Sequence, residues 1–259
     1  MLPAMERLGH DVVALPTVIL SSHAAFPHVA GAAVSVDVLE AMAGAMEANG
    51  WLSDVQFVVS GYLPTPAHVG LAAALVDRIR KRAPGVQFVC DPVLGDEPKG
   101  IYVSEETAAA IRSELIPRAS LATPNRFELG WLTGHPVTCL TSAVAAARAL
   151  GCEAVLATSI PHTDGSLATV LVDGSAARFT SVERRASVPS GTGDYLTGLF
   201  LAEIAAGRSG TDALAMAGAY LEVALSAGGP RDDLGLTEVY GARPAPLPVQ
   251  QLAANRCKP

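Results

Sequence analysis

Cysteine, aromatic residues and positive charge are all sparse in this sequence, and long apolar runs are missing. The four cysteines, Cys90, Cys139, Cys152 and Cys257, stand far apart without a C-x-x-C pair. That spacing suits neither a zinc knuckle nor a disulfide framework, and it points to a reducing, cytoplasmic setting. No window reaches the ~18 consecutive apolar residues of a membrane span. Glu6 and Arg7 interrupt what would have to be the apolar core of a leader in MLPAMERLGH. Neither export nor a membrane partner is expected. With 18 Lys and Arg against 25 Asp and Glu, the formal charge is −7. No basic stripe is available to attract nucleic acid or anionic lipid. The short cationic stretches, Arg78 to Arg82 and Arg184 to Arg185, read as solvated faces. The second lies just upstream of a glycine turn and could meet a phosphate.

Several catalytic signatures are absent too. The six histidines, His10, His23, His28, His68, His135 and His162, show no H-E-x-x-H or similar ligand spacing. There is no G-x-S-x-G elbow, no G-x-x-x-x-G-K-[ST] loop and no G-x-G-x-x-G fingerprint, which removes α/β-hydrolase, P-loop and dinucleotide-binding readings.

What is present is apolar bulk with a regular alternation. Half of the 259 residues are hydrophobic, enough for a large core, and no linker or internal repeat divides the chain. One domain over 1–259 is expected, with an extended or frayed tail over 243–259. Short β-branched runs alternate with Ala/Leu-rich stretches of helical period, the pattern of an α/β fold with a mostly parallel central sheet flanked by helices. The strand candidates are DVVAL (11–15), VQFVVSG (55–61), VQFVCDP (86–92), ASLATP (119–124) and EAVLATS (153–159), then ATVLVDG (168–174) and ARFTSV (177–182) as a hairpin. Helix starts are marked by Thr65 before Pro66 and by Ser104 before Glu105 and Glu106. Further helical periods lie near 35–49, 141–150 and 211–227.

Ligands of such sheets bind at the carboxyl ends of the strands, where polar residues collect here. In SGTGD, the glycines Gly191 and Gly193 around Thr192 permit a tight turn, and the following helix presents unpaired N–H groups to an anion. An aspartate at that junction would repel a bound phosphate. Asp194 therefore reads as a base that takes a proton from a hydroxyl attacking a phosphoryl group, or as a plain helix cap. Asp91, Asp96, Asn125 and Glu128 are oxygen donors of the kind Mg²⁺ takes beside ATP phosphates, although T-P-N-R-F-E equally reads as a strand end capping a helix. Thr158 and Ser159 could hold phosphate or a monovalent cation. Tyr62 could stack on a flat ring or simply pack the crevice wall.

In order, SGY (60–62), CDPVLGD (90–96), TPNRFE (123–128), ATS (157–159) and GTGD (191–194) resemble the ribokinase-like superfamily, and within it the pyridoxal kinases. The resemblance runs over nearly the whole chain, and LSSH (20–23) is similar to the family's S-N-H segment. It implies phosphorylation of the 5′ hydroxymethyl of pyridoxal, and of pyridoxine or pyridoxamine, by ATP with Mg²⁺ and a monovalent cation such as K⁺, in a homodimer serving B6 salvage. Asp194 would match the catalytic base and Gly191, Thr192 and Gly193 its anion hole. Tyr62, Ser22 and His23 would face the vitamer. Asp91, Asp96, Glu128 and Thr123 would match the metal region, and Asp91, Asn125, Glu128, Thr158 and Ser159 the nucleotide and phosphate region.

Three features depart from that pattern. Relatives begin with a strand and a loop carrying a serine ahead of the helix ending in RLG, which here already lies in MLPAMERLG. The expectation is a misassigned start, the alternative a truncated non-catalytic relative that binds a B6 vitamer or nucleotide. Ala24 stands where a threonine is common, and the stretch before the glycine turn is short. A kinase of the same fold acting on hydroxymethylpyrimidine or its phosphate is the other alternative.

Overall fold

The computed structural model describes residues 1–24, 26–174, 176–228, 234–239 and 241–252. In chain order the elements are α1 (Leu2–Arg7), β1 (Val18–Leu20), β2 (Gly31–Ala33), α2 (Val36–Ala48), β3 (Phe57–Ser60), α3 (Pro66–Arg82) and β4 (Gln87–Cys90). There follow β5 (Gly95–Asp96), β6 (Gly100–Ile101), α4 (Glu105–Ala110), β7 (Leu121–Ala122), α5 (Arg126–Thr133), α6 (Leu140–Leu150), β8 (Ala154–Pro161), β9 (Leu167–Asp173) and β10 (Ala176–Val182). The chain closes with α7 (Thr192–Ala205), α8 (Gly210–Ser226), α9 (Leu236–Val239) and β11 (Gln250–Gln251).

Strand periodicity builds the sheet. Phe88 and Cys90 enter the core on one face and Val89 on the other, and Val155 and Ala157 oppose Leu156 in the same way. Both faces are covered, which is why these runs are continuously apolar. Among the described residues the main sheet has the order β11-β10-β9-β8-β7-β4-β3. β3, β4, β7 and β8 are parallel, and β9, β10 and β11 continue the sheet antiparallel. One face packs against α1, α7 and α8, and the other against helices α3 to α6. This is the α/β arrangement, a mostly parallel central sheet flanked by helices, expected from the alternation of runs.

The two helix starts marked in the sequence behave differently, Ser104 capping its helix and Thr65 not. Ser35, Ser104 and Ser209 each cap a helix by accepting a backbone N–H. Thr65 stands at the N-cap of α3, but its hydroxyl meets His68 Nδ1 at 2.7 Å instead. Where α1 crosses α7, Gly198 leaves no room for a Cβ, which would lie 2.6 Å from the Met1 carbonyl oxygen.

Two expectations need correction, for the run at 11–15 and for the cysteines. The run DVVAL forms no strand. Strand preference reflects a fit to a paired, half-buried surface, and this stretch is largely exposed and precedes Pro16. The strands that do form nearby, β1 and β2, make a separate antiparallel hairpin. Up to residue 252 the tail takes the extended one of its two expected forms: β11 pairs with β10, the Leu247 amide donates to Ala215 O at 3.1 Å, and the Leu252 amide to Ala177 O at 2.9 Å. The end of that tail, 253–259, lies outside the described residues. Finally, Cys90 and Cys152 are free thiols, whereas Cys139 is disulfide-bonded.

Candidate active site

The parallel strands end along one edge, and the residues just beyond their tips make the site. β3 ends in Ser60 and leads to Tyr62, β4 leads to Asp91, and β7 leads to Thr123 and Asn125. Thr158 and Ser159 lie inside β8, not at its end, at a register shift between Ala157 and Ile160. Ser159 has a φ of 60°, an uncommon conformation for a residue with a side chain. A bulge of this kind re-aims side chains and ends pairing next to a site. It leaves Ser159 exposed, while the Thr158 amide bonds Pro124 O at 3.0 Å.

Across this edge lies the start of α7. Gly191 sits at its N-cap with a φ of 84°, where a side chain would be strained. The Thr192 hydroxyl donates to Pro189 O at 2.6 Å, which ties the turn down. The first N–H groups of a helix have no intrahelical acceptor, and a Cβ added at Gly193 would meet open space, so a ligand can approach the backbone of the turn there. Asp194 is half-buried in this first turn. One turn on, the buried Thr197 donates its hydroxyl to Asp91 Oδ2 at 3.3 Å. Residues three apart share a helix face, so Asp91 and Asp194 are brought together by one side of α7.

The acidic group is crowded. Burial pushes the Asp91 carboxyl well above the usual carboxylate range, and the charges of Asp194 and Glu128 push it in the same direction. Burial likewise raises Glu128 to about 7, against the pull of backbone N–H groups from Asn125, Leu94 and Gly95. Asp96, on the exposed side of the group, is also raised by burial, with Lys99 opposing.

Asn125 and Glu128 form a complete capping box at the start of α5. Asn125 Oδ1 accepts the Glu128 amide at 3.0 Å and Glu128 Oε2 accepts the Asn125 amide at 2.8 Å. The box also reaches into the loop after β4. Leu94 N donates to Glu128 Oε1 at 2.8 Å, and Asn125 Nδ2 donates to Gly95 O at 2.8 Å. Val93 in this loop has a φ of 44°, a strained conformation for a β-branched residue. The capping reading of these two residues is therefore realised, and it is also what places the loop that holds Asp96.

The donors along this edge suit a metal of limited protein ligation. Thr123 Oγ1 is buried without a hydrogen-bond partner, and Asp91 is a buried carboxylate beside two others. Among the described residues no group of three or more His, Cys, Asp or Glu is arranged to hold an ion. Mg²⁺ is characteristically bound through one or two carboxylates with waters and substrate phosphates, which these donors match.

The residues expected on the vitamer side divide. Tyr62 is exposed at the strand edge, and its carbonyl accepts the Thr17 hydroxyl at 2.7 Å. Ser22 and His23 lie in the turn of the β1–β2 hairpin, where the Ser22 hydroxyl donates to His28 O at 3.2 Å. On the far side of the α7 start, Arg185 does not face solvent alone. It donates to Glu222 Oε2 and Ser226 Oγ, each at 3.1 Å, pinning the short segment before the glycine turn to α8. Beside it opens a cavity of about 530 Å³ lined by Ala219, Glu222, Val223, Ser226 and Leu247.

Two residues escaped the sequence reading. Thr197 was signalled only by its position three residues after Asp194. Tyr102, next to β6, has its phenol pushed up by burial and by the charges of Glu128, Asp96, Asp91 and Asp194. Its hydroxyl therefore lies in the field of the same carboxylates.

The family described as phosphomethylpyrimidine kinase matches residues 46–237. A pyridoxine/pyridoxal/pyridoxamine kinase of Bordetella avium is 35% identical over 230 residues, covering 86% of this chain and 78% of that protein. Pyridoxal kinase PdxY of Deinococcus radiodurans is 33% identical over 224 residues, 82% of this chain and 75% of that one. Among solved structures, pyridoxal kinase from Leishmania donovani in complex with ADP and pyridoxine superposes with a TM-score of 0.89 at 27% identity, covering 97% of this chain and 92% of that chain. The chain therefore belongs to the pyridoxal kinase family, with the ribokinase-like fold.

Proposed function

We propose that this chain is an ATP-dependent kinase that phosphorylates the 5′ hydroxymethyl group of pyridoxal to give pyridoxal 5′-phosphate, with pyridoxine and pyridoxamine as further acceptors. The names of its relatives and the ADP and pyridoxine bound in the Leishmania enzyme support the substrates. The observation that carries the chemistry is Asp194 in the first turn of α7, beside free backbone N–H groups and within the electrostatic reach of Asp91.

Asp194 takes the proton of the acceptor hydroxyl as that oxygen bonds to the γ-phosphorus. The bond from that phosphorus to the β,γ-bridging oxygen breaks, and ADP leaves with the electron pair. N–H groups of the turn at Gly191, Thr192 and Gly193 stabilise charge on the transferring group. General-base help of this kind contributes roughly 10² to 10⁴ in rate. Mg²⁺ brought with ATP supplies charge neutralisation on the phosphates. Asp91, Asp96, Glu128 and Thr123 would hold it, Asp91 most directly, since the Glu128 oxygens already accept backbone N–H groups. Asn125, Thr158 and Ser159 border the phosphates, and the Thr158 and Ser159 hydroxyls suit a monovalent cation such as K⁺. Tyr62 would offer a ring face to the vitamer, and Ser22 and His23 would complete the acceptor side.

The whole of 1–259 would act as one kinase domain. A homodimer is supported by exposed apolar side chains on the hairpin and α2, among them Ile19, Leu20 and Val38. Among the described residues no helix is long and apolar enough to cross a membrane, and a cytoplasmic location is proposed with that in mind.

A second reading, a kinase of hydroxymethylpyrimidine, is favoured by the description of the matching family. A substrate panel separates them. The proposal expects kcat/KM for pyridoxal, pyridoxine or pyridoxamine to exceed that for hydroxymethylpyrimidine, and the reverse order would assign the enzyme to the pyrimidine.

A further inference from the structure

The β1–β2 hairpin carries Ser22 and His23, yet nothing in its strands is buried. Val18 is half-exposed, and Ile19, Leu20 and all of Gly31–Ala33 are exposed. Within one copy of the chain, burial of apolar area therefore does not fix where the hairpin stands. Its two roots are held differently. Thr17, just before β1, donates its hydroxyl to Tyr62 O at 2.7 Å. Val34, just after β2, donates its amide to Thr17 O at 3.0 Å. The Val34 carbonyl in turn meets His68 Nε2 at 2.9 Å. His68 is buried in the first turn of α3, and its Nδ1 is 2.7 Å from the Thr65 hydroxyl. A carbonyl can only accept, so Nε2 carries the hydrogen in that contact. The chain Thr65, His68, Val34, Thr17, Tyr62 is thus an unbroken line of hydrogen bonds running from α3 through both roots of the hairpin to the aromatic residue of the site. It also explains why Thr65 fails to cap α3, since its hydroxyl is used sideways.

We infer that Thr17 and His68 are positioning residues for the acceptor: they lock the hairpin roots to the Tyr62 and α3 loops and so set the separation between Ser22 and His23 on one side and Tyr62 on the other. This rests on the reading of the chain as a vitamer kinase, because only then does that separation frame a substrate. Neither residue lies on the α7 side of the site, so the nucleotide half does not depend on the line. The effect falls on the acceptor alone.

The test uses the full chain with Thr17→Val, which removes the hydroxyl at nearly constant shape, and Thr17→Ser, which restores it. His68→Gln, able to keep a donor toward Val34 O, is compared with His68→Phe, which cannot. Amide hydrogen exchange over 18–33 reads the hairpin directly, and steady-state kinetics with pyridoxal and ATP read the site. Loss of one hydrogen bond corresponds to about a 2- to 10-fold effect. Thr17→Val is expected to speed exchange in the hairpin and raise KM for pyridoxal about 2- to 10-fold, with KM for ATP within about twofold of wild type. Thr17→Ser should behave as wild type, and His68→Gln should be milder than His68→Phe. Unchanged exchange and unchanged KM for pyridoxal in Thr17→Val would overturn the inference, as would an equal rise in KM for ATP. If wild type phosphorylates no B6 vitamer while Thr17→Val still loosens the hairpin, the substrate reading fails and the lock stands.

Discussion

Replacing Asn125 with alanine should uncouple the loop after β4 from α5. Asn125 makes three contacts at one point: its amide donates to Glu128 Oε2, its Oδ1 accepts the Glu128 amide, and its Nδ2 donates to Gly95 O. The backbone contact survives in alanine and the two side-chain contacts do not. Loss of a helix N-cap costs about 1 kcal/mol. Loss of the Nδ2 bond leaves the carbonyl of the buried Gly95 without its donor, a further ~1–3 kcal/mol. The total of about 2–4 kcal/mol corresponds to a fall in Tm of roughly 5–15 °C for a chain of this size. Asn125→Ser, which retains a capping oxygen but cannot reach Gly95 O, should fall between alanine and wild type. Differential scanning calorimetry of the three proteins reads the order, and KM for ATP should rise with the loss of stability because the same loop carries Asp96. A melting point for Asn125→Ala within about 1 °C of wild type, well short of the fall expected for this loss, or a serine variant no better than alanine, would refute the assignment of the box as the anchor of this loop.

Two further outcomes follow from the same geometry. Burial holds the Glu128 carboxyl at about 7, above the 4.5 of a free glutamate, so between those values the folded chain binds more protons than the unfolded one. Its contribution is therefore complete below about pH 4.5 and is lost as pH rises through about 7, by up to about 3 kcal/mol. Urea midpoints of wild type from about pH 5 to 8 should fall relative to those of Glu128→Gln, and a gap that instead widens in favour of wild type at high pH would contradict the sign. Gly95→Ala would bring a Cβ to 2.5 Å from Gly100 O and 2.9 Å from Ile101 Cα, both backbone atoms, and to 2.6 Å from the Phe127 ring. Overpacking of this kind costs about 1–3 kcal/mol, and thermal melting should show it together with a raised KM for ATP.

Much of the fold was legible because the parallel strands are buried on both faces and so read as apolar runs, with Phe88, Val89 and Cys90 the clearest instance. The run at 11–15 had the same composition but met no partner strand, and composition alone does not report a partner. The β1–β2 hairpin was missed for the opposite reason. Its strands bury nothing, and Gly31, Ala32 and Ala33 have little strand preference; they are held by the line through Thr17 and His68, which no local pattern encodes. At the site, strand-end position was enough to bring Asp91, Thr123, Asn125 and Glu128 to one edge. Whether Asn125 and Glu128 cap a helix or meet a ligand could not be separated from T-P-N-R-F-E, since one capping box supports both. Thr197 and Tyr102 were invisible because their significance depends on contacts with carboxylates far away in sequence.

The central claim is that Asp194 removes the proton from the acceptor. Steady-state phosphorylation of pyridoxal by wild type and by Asp194→Asn, which keeps the shape and removes the basic carboxylate, tests it most directly. The account predicts that kcat falls by about 10² to 10⁴ while KM for pyridoxal and for ATP stays within a few-fold of wild type. An asparagine variant retaining more than about one tenth of wild-type kcat, less than the loss expected of a missing general base, would contradict it and leave Asp194 as a helix cap.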